Sequence, residues 1–184
     1  MSPAWSTDIP PARVFGLTLR EPLTIAHVML LAEADSPLVT GGTPSHGDIA
    51  LAAFICAYPA HVSKRRLASR MAGLAFRLWS RWIDAERGKE EAEAFAEWFK
   101  QQCDMPPKWR SEGGRVMGTP WWHSRVAIAM AELGMSYHDA TTLPCKLVGQ
   151  LVTAIMEARG LVELETEEQT AFIRWAMAQA KEAA

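Results

Sequence analysis

Apolar residues recur at intervals of three and four along most of this chain, and the intervals break at Pro, Gly and Ser/Thr/Asp positions. That is the period of α-helices laid against a core, with breaks where helices are capped or stopped. Leu67, Met71, Leu74, Leu78 and Trp82 share one face of a long amphipathic helix expected from Ser63 to Arg87. No alternating apolar and polar run bounded by hairpin turns interrupts the pattern, which argues against a sheet of any size. The expected fold is all-α, about seven helices in a compact bundle.

The punctuation orders the chain. Residues 1–22 carry Pro3, Pro10, Pro11 and Pro22 and read as an extended arm that packs through Trp5, Val14, Phe15 and Leu17. Thr24 opens a first helix over 25–34, which Ser36-Pro37 stops. Ser45 and Asp48 form a capping box ahead of Ile49, Leu51, Ala52, Phe54 and Ile55, and Pro59 ends that helix. Gly88 interrupts the long helix, and an acidic one follows over 89–103, with Glu90, Glu91, Glu93 and Glu97. The 104–118 loop, with its Pro and Gly pairs, is the candidate boundary between a helical half over 23–103 and a helical unit over 119–184. In the second half Thr119-Pro120 opens a helix that Gly134 closes. Ser136 and Asp139 cap a short turn. Pro144 starts a helix to Arg159 with Leu147, Leu151 and Ile155 inward, and Gly160 stops it. Thr166 with Gln169 caps a last helix whose Phe172, Trp175 and Met177 face the core or a partner.

With 184 residues, 49% of them hydrophobic and 22% charged, the chain can bury a sizeable core without staples. Its three cysteines, Cys56, Cys103 and Cys145, are odd in number and show no C-x-x-C spacing, which argues against a disulfide framework or zinc knuckle. The first residues lack the charged and apolar regions of a secretory signal, and no apolar run is long enough to span a bilayer. A cytoplasmic protein with no membrane contact is expected.

Residues that could carry chemistry are few. Gly113 to Thr119 spaces glycines as a phosphate loop does, but no Lys follows and no strand precedes it. His46 with Asp48 and His138 with Asp139 lack metal-ligand spacing on a helix, and both aspartates sit where capping carboxylates belong. His27 reads as a hydrogen-bonded core histidine. Cys145, at a helix start, has no neighbouring base and reads as a buried, inert thiol. No enzymatic activity, cofactor or metal is expected.

Two features point instead to partners. Lys64, Arg65, Arg66, Arg70, Arg77 and Arg81 fall in a stretch from His61 to Arg81 without an acidic residue, although the whole chain has a formal net charge of −2. Such a face can meet nucleic acid, with Trp79 or Trp82 stacking on bases, or the acidic helix that follows, or a neighbouring subunit. The negative net charge weighs against nucleic acid. The second feature is the Trp- and Met-rich second half. Trp121 and Trp122 cannot point the same way, so with Met130 and Met135 they are the expected contributors to an apolar, adaptable partner surface.

The stretch from Leu19 to Pro59, LREPLTIAHVMLLAEADSPLVTGGTPSHGDIALAAFICAYP, resembles the N-terminal part of small helical proteins encoded among tail genes of long-tailed bacteriophages and prophages. Pro120 to Gly160, with its helix, Gly-x-Ser turn and Pro-started helix, is similar in pattern to tail assembly chaperone-like proteins. Together they cover under half of the chain, and the basic and acidic helices lie outside them. The resemblance implies a non-enzymatic protein, working in the host cytoplasm, that binds the tape measure or another helical tail protein before the tube polymerises. The competing expectations are a virion structural or connector protein that forms a homo-oligomer, and a phage protein that binds a host factor or nucleic acid through the 61–81 face.

Overall fold

The computed structural model of the chain describes residues 10–19, 22–80, 83, 85–104, 108–111, 118–166, 168–169, 171–173 and 175. Trp5, Arg81, Trp82, Met105, Met117, Met177 and the glycine-rich part of the 104–118 loop lie outside them.

The structure is mostly helical. Its helices are α1 (Ile25–Glu33), α2 (Pro37–Thr40), α3 (His46–Cys56), α4 (Ala60–Leu67), α5 (Arg70–Ser80), α6 (Ala85–Cys103), α7 (Trp121–Leu133), α8 (Tyr137–Thr142) and α9 (Cys145–Ala158). With the further helical residues at 168–169, 171–173 and 175 they make ten among the described residues, not about seven, because two short pieces, α2 and α8, count separately and the long basic segment is split. Ser69 makes the split. Its hydroxyl accepts from the Ala72 N–H at 3.4 Å and its carbonyl from the Gly73 N–H at 3.0 Å, so it caps a new helix instead of continuing the old one. Gly88 does the reverse of what its residue type suggests and lies inside α6. It is buried within α6, and the modest helical cost of a single glycine does not break the helix.

The expectation of no sheet is corrected by two short antiparallel ribbons. In the arm, β1 (Ala12–Val14) pairs with β2 (Leu17–Leu19), Val14 opposite Leu17. Phe15 and Gly16 make the turn with φ of 50° and 74°, the left-handed pair that a two-residue hairpin needs. A phenylalanine tolerates this because its surroundings hold it. Its N–H donates to the Glu91 carboxylate, its carbonyl accepts from the Trp79 indole at 3.2 Å, and its ring meets Trp79 edge-on. In the 104–118 segment, β3 (Lys108–Ser111) pairs with β4 (Val162–Leu164). Strands of three or four residues are too short for alternation to announce them.

Most of the anticipated caps are present. Ser45 and Asp48 form the capping box of α3, Ser136 accepts from the Asp139 N–H, and Gly134 ends α7 at φ 63°. Thr166 and Gln169 exchange hydrogen bonds of 2.8 and 3.2 Å at the start of helical residues 168–169, 171–173 and 175. One core collects Val28 and Leu31 of α1, Ile55 of α3, Phe95 and Trp98 of α6, Trp122 and Val126 of α7 and Val148 and Val152 of α9. Residues on both sides of the 104–118 segment therefore share it. The Cys145 N–H donates to the Leu23 carbonyl at 2.7 Å, a direct stitch between them. In α9 the buried line is Cys145, Val148 and Val152, whereas Leu147, Leu151 and Ile155 are half-buried. Among the described residues no helix is long and apolar enough to cross a membrane.

Candidate functional site

Helix α5 has two apolar sides. Phe76 and Trp79 form the inner one, and with Phe54 they make an aromatic cluster with ring centroids 5.6–6.1 Å apart. Together with the Trp79–Phe15 contacts, this fixes the rotation of α5 about its axis. The outer side then carries Met71, Leu74 and Leu78 into solvent, 74%, 52% and 51% exposed, with Leu67 also exposed at the end of α4. No residue of α5 is fully buried. The stripe expected from the spacing therefore exists, but it is turned away from the core. A helix apolar on both sides lacks a cover on one of them.

Two basic residues flank this stripe on α5. Arg70 and Arg77 stand about one turn either side of Leu74, and Lys64 and Arg65 are exposed on α4. Arg66 is committed elsewhere. Its guanidinium lies 3.7 Å from the Tyr58 ring centroid and 5.8 Å from that of Phe54, a stacked cation that closes the α3–α4 corner. Arg81 lies outside the described residues. Among the described residues no carboxylate of α6 pairs with this face, and the one ion pair joins Arg159 and Glu132. Trp79, half-buried with its indole N–H bonded to the hairpin, is not free to stack on a base.

The tryptophan pair sits differently. Trp122 is buried in the core, and Trp121 is half-buried, edge-on to Trp122 and covered by Arg125, whose guanidinium lies 4.3 Å from its ring centroid. Neither ring is a free anchor, because the first turn of α7 packs against the core. Met135 is half-buried against the core, and Met130 is exposed. Phe172 and Trp175 stack on each other, centroids 6.0 Å apart, and are exposed rather than in the core.

A cleft of about 510 Å³ opens between α1, α4 and α8. His27 forms part of its wall but is fully occupied: Nδ1 accepts from the Thr24 N–H at 3.1 Å and Nε2 donates to the Tyr58 carbonyl at 2.8 Å. The accepted hydrogen bond fixes the neutral Nε2–H tautomer. Thr141 and Thr142 line it too, and their hydroxyls donate to carbonyls of the same helix turn. His61, Lys64, His138 and Glu33 are exposed around it. The cleft can accept a ligand, but these hydroxyls are not poised as nucleophiles.

Spacing gave no hint that the cysteines converge. Cys56 and Cys145 are buried in the core and Cys103 packs beside them, with the Arg125 guanidinium near enough to favour the thiolates of Cys103 and Cys145. Desolvation overrides that attraction. Burial pushes the Cys103 thiol up to about 11 and raises those of Cys56 and Cys145 as well, so all three are protonated and unreactive at neutral pH. Among the described residues no group of three or more His, Cys, Asp or Glu side chains is placed to hold a metal ion.

No known protein family, characterised protein or solved structure matches the chain.

Proposed function

We propose that the protein is a non-enzymatic binding protein that covers an apolar helical client, in the manner of the phage tail assembly chaperones it resembles over Leu19–Pro59 and Pro120–Gly160. The observation that carries the reading is the outer side of α5: Met71, Leu74 and Leu78 at helical spacing, in solvent, on a helix whose rotation is fixed from behind. A second helix laid along α5 would bury these side chains and complete a helix-on-helix layer. Met71 suits varied clients because its unbranched chain repacks at little cost. The client in this reading is the tape measure or another long helical tail protein, held until tube subunits replace the chaperone, and the host cytoplasm is where it acts.

The test is co-expression with a tape-measure segment that aggregates when made alone. Wild-type protein keeps the segment in the supernatant and co-elutes with it on a sizing column. A Met71→Glu/Leu74→Glu/Leu78→Glu variant with an unchanged circular dichroism spectrum leaves the segment insoluble. Equal performance by the variant sinks the reading. So does a wild-type protein that elutes as a closed homo-oligomer and ignores the segment, which is the connector alternative.

A further inference from the structure

From the charges that frame the α5 stripe we infer that its occupant is an acidic amphipathic helix of another protein, with Leu-like residues along one face and Asp or Glu along the edge beside it. The inference rests on the helix-binding reading above and adds the chemistry of the partner. Between Ile49 and Ile83 the chain has no acidic residue, while Arg70, Arg77, Lys64 and Arg65 are exposed and form no ion pair among the described residues. Arg70 and Arg77 flank Leu74 on the helix surface, so an incoming helix that covers Leu74 brings its own flanking positions against two guanidinium groups. Carboxylates there make charge-assisted, directional hydrogen bonds, whereas cations there meet like charge. Helix α5 spans 11 residues, about 16 Å at 1.5 Å per residue, which sets the footprint at about three turns of the partner.

Two other occupants fit less well. A second copy docked through the same face would bring a second set of guanidinium groups and no carboxylate to it, since neither copy has an acidic residue between Ile49 and Ile83. The exposed acidic side of α6 on a second copy, Glu90, Glu93 and Glu97, has only Ala94 and Ala96 between its charges and offers nothing to bury Met71 or Leu78. An anionic bilayer shares the basic and apolar chemistry, but helices that lie in a membrane interface favour aromatic anchors on the apolar face. Here the aromatics of α5, Phe76 and Trp79, are turned into the protein.

The experiment uses full-length protein and three labelled probes. Two are helical peptides with the same leucine face, one flanked by Glu and one by Lys. The third is a vesicle of phosphatidylserine and phosphatidylcholine. Fluorescence anisotropy is expected to show the Glu-flanked peptide binding at least about tenfold more tightly than the Lys-flanked one at low ionic strength, with the gap closing near ~0.5 M salt. The Arg70→Glu/Arg77→Glu variant, folded by circular dichroism, is expected to reverse the preference. Equal binding of both peptides overturns the acidic partner and leaves helix binding standing. Binding of neither peptide overturns the helix-binding reading itself, and binding of vesicles alone assigns the face to a lipid surface.

Discussion

Helices α5 and α9 carry the same signal in sequence, apolar residues three and four apart, and come to opposite ends. In α9 the line Cys145, Val148 and Val152 is sealed in the core beside buried Gly149 and Thr153, while in α5 the line Met71, Leu74 and Leu78 stands in solvent. The difference lies in what competes for the inner side. Phe76 and Trp79 offer more apolar area than Met71 and Leu74, and Phe15 and Phe54 present rings to receive them, so the aromatic side wins the contact with the body. Spacing locates an apolar face; it does not say what covers it.

If α9 and its neighbours are core and α5 is surface, truncations must separate them. The largest expected effect is Phe95→Ala. Phe95 is fully buried against Trp98 and Phe99, and its loss should cost about 3–5 kcal/mol of unfolding free energy in urea titration. A cost under about 1 kcal/mol would mean that the α6 side of the core is loose, and the contrast with α5 would lose its basis.

The thiols sharpen the same contrast chemically, because they report the interior from three helices at once. Their raised pKa values mean that the folded state resists forming thiolates that the unfolded chain forms above its ordinary value of 9.0. Stability is therefore insensitive to these groups below about pH 9 and falls as the pH rises from there toward 11. Native protein at pH 8 should label with a thiol reagent about a hundredfold more slowly at Cys103 than a model thiol does, with Cys56 and Cys145 slower still. Rapid labelling of Cys145 in the native state would show that the α7–α9 interior is open.

His27 comes next in size. It joins the start of α1 to the end of α3 through Thr24 and the Tyr58 carbonyl, and Ser63 closes the same corner by donating to the Ile55 carbonyl at 2.6 Å. His27→Ala removes the shorter of two hydrogen bonds to the Tyr58 carbonyl and leaves the Thr24 N–H at the helix start without its acceptor, an expected loss of about 1–3 kcal/mol in urea titration. An unchanged midpoint would show that the corner is held by packing alone.

The legible part of the fold was what local chemistry dictates. Ser45 with Asp48, Ser136 with Asp139, Thr166 with Gln169, and Gly134 all mark helix ends because their hydrogen bonds and left-handed backbone need only residues a few positions away. The rest depended on distant partners. The hairpin at Phe15 exists because Glu91 and Trp79 hold its turn, and the cysteines converge only once three helices are assembled. At the candidate site the basic residues and the apolar stripe were both readable, but not their outward aspect. Phe76 and Trp79, spaced by three on the other side of α5, were the signal for that. Trp121 and Trp122 misled because tryptophan count speaks of area, not of which side of a helix is already covered.

The smallest expected effect tests the comparison where it is most exposed. Met71→Ala, Leu74→Ala and Leu78→Ala remove side chains that are half or more in solvent, and each replacement improves or preserves helix propensity. Each should shift the unfolding free energy by no more than about 0.5 kcal/mol. The measurement is urea titration at two protein concentrations about a hundredfold apart, because a stripe covered by a second copy would make wild-type stability rise with concentration. Three small, concentration-independent shifts leave α5 as a free surface awaiting a partner. A loss of about 2 kcal/mol at Leu74 that grows with concentration would put a second copy on the stripe, and α5 would then resemble α9 after all, its face buried by another chain instead of its own.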